Sequence, residues 1–186
     1  ELLDHRRANP HSKVSSLCQI GDIRDADKLN MMCAGVDIVL HTAALKHVIL
    51  CERAPFDAVQ TNIQGVKNVI QAALLNDVER VIFTSSDKAV NPTNVMGTSK
   101  LMGERLITAA NSLKMSRRTI FSSTRFGNVL GSRGSVIPIF ARQIEAGGPV
   151  TLTDCRMTRF IMTLEDSCRL VLSAAEKARG GEVFVT

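Results

Sequence analysis

The chain of 186 residues contains neither tryptophan nor tyrosine. Without tyrosine no phenol is available as a proton carrier, so acid–base chemistry falls to carboxylates, lysines, histidines and thiols. The five cysteines, at positions 18, 33, 51, 155 and 168, are odd in number and form no C-x-x-C pair. They read as reduced thiols packed as small apolar groups, not as a disulfide framework. His5, His11, His41 and His47 sit at no metal-ligand spacing, so no metal site is assigned. No apolar run approaches transmembrane length, and the given residues are expected to include no signal peptide. No basic run is interleaved with aromatics, which argues against nucleic acid as a partner. The formal charge of +5 is scattered, a mild excess that suits ligands carrying phosphate.

One further absence is more telling. A dinucleotide-binding α/β domain normally opens on a strand and a glycine-rich turn, and no G-x-G-x-x-G occurs here. Either the chain is not such a fold, or it lacks the first strand, that turn and the second strand. The motifs described below favour the second explanation. The stop at Thr186, directly after a strand-like segment, agrees with it. The expectation is a domain truncated at both ends and inactive by itself.

What is present is ordinary globular composition, 45% hydrophobic and 22% charged, enough for one α/β domain. Residues 15–20 read as a short strand ending at Gly21, and residues 25–34 as a helix stopped by Gly35. Residues 36–41 form a nearly continuous apolar run, the signature of a parallel strand buried on both faces. Pro55 opens a long helical stretch, in which Val66, Val69, Ile70 and Ala73 form one apolar face. Strands at 81–83 and 120–126 flank a helix over 96–110. A helix over 137–145, a strand-like 150–152, a helix over 165–177 and a strand over 183–185 follow. This alternation predicts a Rossmann-like, doubly wound parallel sheet with helices on both faces. Ligands of such sheets lie beyond the carboxyl ends of the strands, so the polar residues just after each strand are the candidates.

After the first of these segments, Asp22 could accept a hydrogen bond from an adenine amino group and the Ile23 N–H could meet a ring nitrogen; the plainer reading of Asp22 is a helix cap. After the second, Ala43 and Ala44 would let a cofactor approach the backbone, or simply pack closely, and Lys46 could meet a phosphate or sugar hydroxyl. Asn62, within the long helix, could anchor a neighbouring strand end. After the strand at 81–83, Ser85, Ser86, Asp87 and Lys88 crowd together, and Lys100 shares a helix face with Met96. As bare chemistry this offers an acid, a base and a cofactor-binding cation.

The run S-S-D-K-A-V-N-P-T-N-V-M-G-T-S-K at residues 85–100 resembles the active-site segment of the polysaccharide-biosynthesis UDP-N-acetylglucosamine 4,6-dehydratases, which are extended short-chain dehydrogenase/reductases. T-R-F-G-N-V-L-G-S-R-G-S-V-I-P at 124–138, M-T-R-F-I-M-T at 157–163, G-D-I-R-D at 21–25 and H-T-A-A-L-K-H-V at 41–48 agree with it. The resemblance spans residues 21–185. It implies that Asp22 and Ile23 bind adenine, that Ala43, Ala44 and Lys46 line the cofactor, and that Ser85 and Lys100 hold the nicotinamide ribose. It implies further that Asn128 contacts the UDP-sugar diphosphate, that Lys46, Arg133, Ser135 and Val136 frame the substrate, and that Arg159 meets phosphate. Residues 1–186 would form one incomplete NAD(P)-binding domain, with 124–186 contributing to the nucleotide-sugar site.

Met96 departs from the pattern of many members, which carry tyrosine there in a Y-x-x-x-K pair. A thioether cannot serve as a base at neutral pH. The resemblance then assigns the catalytic work to Asp87 and Lys88, with Ser86 and Lys100 beside them. The expected activity is oxidation at C4 of UDP-N-acetylglucosamine, loss of the C5 proton to Lys88, and departure of the C6 hydroxyl with a proton from Asp87. The expected cofactor is NAD or NADP, with NADP slightly favoured. The alternatives are a UDP-sugar 4-epimerase and a non-catalytic dinucleotide-binding module. The intact protein is expected to be a homo-oligomer in the cytoplasm, or at the cytoplasmic face of a membrane if a longer chain carries an anchor.

Overall fold

A computed structural model describes residues 15–113, 118–132, 135–152 and 154–185. Helix α1 (Ala26–Met32) starts at Asp25, whose side chain accepts from the Lys28 N–H, and gives way to Gly35 in the left-handed region at φ +72°. Strand β1 (Ile38–His41) follows, then the short α2 (Val48–Arg53). Pro55 occupies the first turn of α3 (Pro55–Val59), where its missing N–H costs nothing. The helix continues through a π turn (Gln60–Gln64) into α4 (Gly65–Leu75). Strand β2 (Arg80–Ser86) ends in a 3₁₀ turn (Asp87–Ala89) that leads to α5 (Val95–Leu113). Strands β3 (Ile120–Phe126) and β4 (Asn128–Val129), helix α6 (Val136–Glu145), strand β5 (Ile161–Met162), helix α7 (Leu164–Lys177) and strand β6 (Val183–Val185) complete the order.

The main sheet has the order β1-β2-β3-β6, parallel throughout. Its in-register pairs place Val81 beside Phe121 and Phe83 beside Ser123. Val81, Phe83 and Phe121 pack with Val66, Val69 and Ile107 of α4 and α5 on one face. On the other face Ile82 packs with Val171, Ala174 and Ala175 of α7. Apolar side chains alternate across the pleat, so helices are needed on both sides, and the doubly wound architecture follows.

Two expected strands are not formed. Residues 15–20 pair with no strand among the described residues, and Leu17 and Ile20 stand 81% and 92% exposed. Residues 150–152 are likewise irregular. A strand exists only through its ladder, and neither apolar run meets a partner. Instead, β4 pairs in parallel with β5, a two-stranded ladder formed from segments whose local patterns did not announce it. Among the described residues no helix is long and apolar enough to cross a membrane, and no cluster of three or more metal-ligating side chains occurs.

Candidate functional site

The carboxyl ends of β1, β2 and β3 open on a cleft of about 360 Å³. Thr42, Ala44, Lys46 and His47 form one wall, Met96 and Lys100 another, and Phe126, Gly127, Asn128 and Val129 a third. Thr84, Ser85, Ser86 and Lys88 form its floor, and Ser132 and Ser135 stand at the loop before α6.

Two walls are tied together by Asn62, which is 1% exposed. The π turn places one extra residue in the helix, and such turns recur at functional sites. Asn62 Oδ1 accepts from the Leu45 N–H at 2.8 Å, and its Nδ2 donates to Leu45 O and to Ser99 Oγ, each at 2.9 Å. Ser99 Oγ donates in turn to Met96 O at 2.7 Å. The amide thus mimics a peptide, pinning the loop after β1 to the first turns of α5. The anchoring expected for Asn62 is what the structure shows.

At the end of β2 the chemistry is concentrated. Ser86 Oγ donates to Asp87 Oδ1 at 2.9 Å. Lys88 Nζ donates to the same Oδ1 at 2.9 Å and to Asn128 Oδ1 at 3.2 Å. The side chains of Asp87 and Lys88 are only 24% and 34% exposed, so the pair is no freely solvated turn. Gly97 permits this closeness: a Cβ there would collide with the Lys88 carbonyl. Asp87 reaches the cleft through Lys88, which lines it.

Lys100 is 6% exposed, donates from Nζ to Thr84 O at 2.9 Å, and lies 4.8 Å from the Phe83 ring centroid. Burial lowers its pKa to about 8, against an opposing pull from Glu104. Among the described residues, Ser85 Oγ is buried without a hydrogen-bond partner, and so is Ser135 Oγ. Met96, 4% exposed, packs with Cys51 and Ala58 and turns its thioether environment toward the cleft, where it can move no proton.

Of the residues singled out from sequence, Ala44, Lys46, Ser85, Ser86, Lys88, Met96, Lys100, Asn128 and Ser135 line this one cleft. Asp22, Ile23, Ala43, Val136 and Arg159 do not. The Asp22 carboxylate is wrapped by Arg24, which donates from its backbone N–H, Nε and Nη2 at 2.6–3.0 Å. The hydrogen bonds from Arg24 hold the Asp22 pKa down to about 2. Ile23 gives its carbonyl to Asn68 Nδ2 at 3.0 Å. Arg159 is exposed and donates to Thr158 O, its own neighbour, at 2.7 Å. Arg133 lies outside the described residues. Sequence reading passed over Thr42, His47, Thr84 and Ser132 in the cleft. The only signal for them was their place just beyond a strand end or before a helix.

A family profile described as "Polysaccharide biosynthesis protein" matches residues 1–186. The UDP-N-acetylglucosamine 4,6-dehydratase (inverting) of Campylobacter jejuni is 47% identical over 167 residues, 89% of this chain and 50% of the relative. The UDP-glucose 4-epimerase of Rickettsia typhi is 47% identical over 182 residues, 98% of this chain and 53% of the relative. The chain therefore spans about half the length of the curated relatives it matches. Among solved structures, Pen from Bacillus thuringiensis superposes with a TM-score of 0.92 at 46% identity, covering 99% of this chain and 58% of that one. A dTDP-glucose 4,6-dehydratase double mutant from Streptomyces venezuelae, solved with NAD bound, gives 0.81 at 26% identity, covering 89% and 56%.

Proposed function

The chain belongs to the polysaccharide biosynthesis protein family, and from that premise we propose that it works as a nucleotide-sugar 4,6-dehydratase on UDP-N-acetylglucosamine. The observation that carries this reading is the Ser86–Asp87–Lys88–Asn128 relay on the floor of the cleft. The Campylobacter relative supports the substrate.

The cleft fits a nicotinamide dinucleotide at its ribose end. Ser85 Oγ is a buried hydroxyl with no partner among the described residues, and Lys100 is a buried cation in the same cleft. A ribose hydroxyl would complete both. Ala44, with its small side chain, lets a ligand approach the backbone. When bound, NAD or NADP would supply hydride acceptance at C4 and hydride return at C6, the C4 hydroxyl proton leaving to solvent and a solvent proton completing C5; the Streptomyces structure supports NAD.

Elimination needs a base at C5 and an acid at C6. A neutral Lys88 amine takes the C5 proton first, and a protonated Asp87 then gives its proton to the leaving C6 hydroxyl, which departs as water. The step needs amine and acid at its start and leaves ammonium and carboxylate, the charged pair that the salt bridge represents. One proton crossing the 2.9 Å between Lys88 Nζ and Asp87 Oδ1 resets it. Ser86 and Asn128 hold the two groups in place. Reactions fed by UDP-sugars and nicotinamide cofactors belong in the cytoplasm, which is where this reading places the protein.

The Rickettsia relative favours a second reading, 4-epimerisation, in which the C6 hydroxyl stays. The two separate on incubating protein from the complete coding sequence with UDP-N-acetylglucosamine. A 4-keto-6-deoxy product that has lost one water is expected. Formation of UDP-N-acetylgalactosamine alone would establish the epimerase instead.

A further inference from the structure

What keeps Lys100 in the cleft lies behind it. One helical turn on, Glu104 occupies the same buried face of α5 and is 3% exposed. Residues four apart on a helix are neighbours, and an acid at that spacing is a ready partner for a lysine. Lys100 does not take it. Arg125 of β3 donates from Nε to Glu104 Oε1 at 2.8 Å and from Nη2 to Oε2 at 2.7 Å, filling both oxygens. A planar guanidinium fork does this where an ammonium cannot.

We propose that Glu104 and Arg125 are a positioning pair: Arg125 keeps the Glu104 carboxylate from capturing Lys100, so the ammonium stays at the end of β2 to meet the cofactor ribose. The last clause rests on the cofactor reading above. Without Arg125, Glu104 would be a buried carboxylate that has lost its guanidinium partner, a costly state that Lys100, one helical turn away, is placed to relieve. The groups facing Lys100 are few. His41 of β1 is buried, with its pKa lowered to about 4 by burial and then by Lys100, so it is neutral at pH 7. Glu104 lies on the same helix, with Arg125 behind it, and Lys46, His47 and Lys88 line the cleft. Among the groups named, Glu104 alone raises the Lys100 pKa.

The test follows the Lys100 side chain by NMR titration in the protein from its complete coding sequence, with NAD and NADP binding measured by calorimetry. In R125M the Lys100 midpoint should rise by about 1 pH unit or more, and dinucleotide binding should weaken about tenfold as a charged hydrogen bond is withdrawn. E104Q/R125M should return both toward wild type, because no carboxylate remains to trap the lysine. A merely structural bridge predicts the double variant to be at least as impaired as R125M, and that result, or an unchanged midpoint in R125M, overturns the proposal. If R125M does not fold, E104Q decides alone: its midpoint must fall, since Arg125 then acts on Lys100 uncompensated, and any other result overturns the pair. Wild-type protein that binds neither dinucleotide, yet shows these midpoints, would refute the cofactor reading and leave the pair standing.

Discussion

At the scale of single residues, the absence of tyrosine shapes the chemistry more than any residue present. Met96 stands in the cleft wall and cannot carry a proton, so the proposed reading rests proton transfer on Asp87 and Lys88. Asp87→Asn should keep UDP-sugar and cofactor binding but lower the dehydration rate by about 10²–10⁴-fold, because an amide donates a proton poorly. Exchange of the C5 proton with deuterated water should survive in Asp87→Asn and vanish in Lys88→Met, since removal of that proton precedes loss of the C6 hydroxyl. Mass spectrometry of substrate recovered from deuterated buffer reads both outcomes. Wild-type rates in both variants would leave the pair as a half-buried turn without a catalytic part.

At the scale of elements, the cleft is a gap between a loop and a helix whose spacing is set from behind. Asn62 holds the loop after β1 to α5 by hydrogen bonds on both ends of its amide. Asn62→Leu keeps the volume and removes every one of them. It should cost about 1–3 kcal/mol for each partner left buried and unpaired, measured by urea unfolding. Amide exchange at residues 42–47 should quicken more than in the β2–β3 core, where the ladder is untouched. Equal acceleration in both places would mean that Asn62 merely fills space.

Across the whole molecule, one pH-sensitive feature lies inside the sheet rather than on the surface. His41 is 5% exposed, with its ring centroid 5.6 Å from that of Phe83. Burial, with Lys100 adding to it, lowers its pKa from 6.5 to about 4. In the unfolded chain the imidazole takes up its proton near 6.5. Between pH 6.5 and about 4 the unfolded state therefore binds more protons, and stability falls with falling pH. The contribution is fully present above pH 6.5, and its loss by pH 5 amounts to about 2 kcal/mol at 1.36 kcal/mol per unit. His41→Gln should unfold in urea with a smaller difference between pH 7 and pH 5 than the wild type. An identical difference would place the acid sensitivity elsewhere.

The order of strands and helices, and the crowding of Ser85 to Lys88 at a strand end, were written in local pattern. Alternation of apolar runs and helical faces is set by neighbours a few residues away, and so is the run that carries the family resemblance. Most gaps in that reading are long-range. Residues 15–20 and 150–152 have strand-like composition but no ladder, while β4 and β5 pair across 33 positions, Asn128 with Ile161. Arg125 meets Glu104, and Asn62 meets Leu45 and Ser99, because the sheet register and the π turn bring them together. Arg159 and Asp22 bear the charges a nucleotide would want, yet each is turned to a residue one or two positions away in the chain. The sequence by itself determined which groups stand at strand ends, since backbone periodicity is local. Which of them face one another across a cleft was decided only by tertiary packing, since side-chain distances between remote segments depend on how sheet and helices close together.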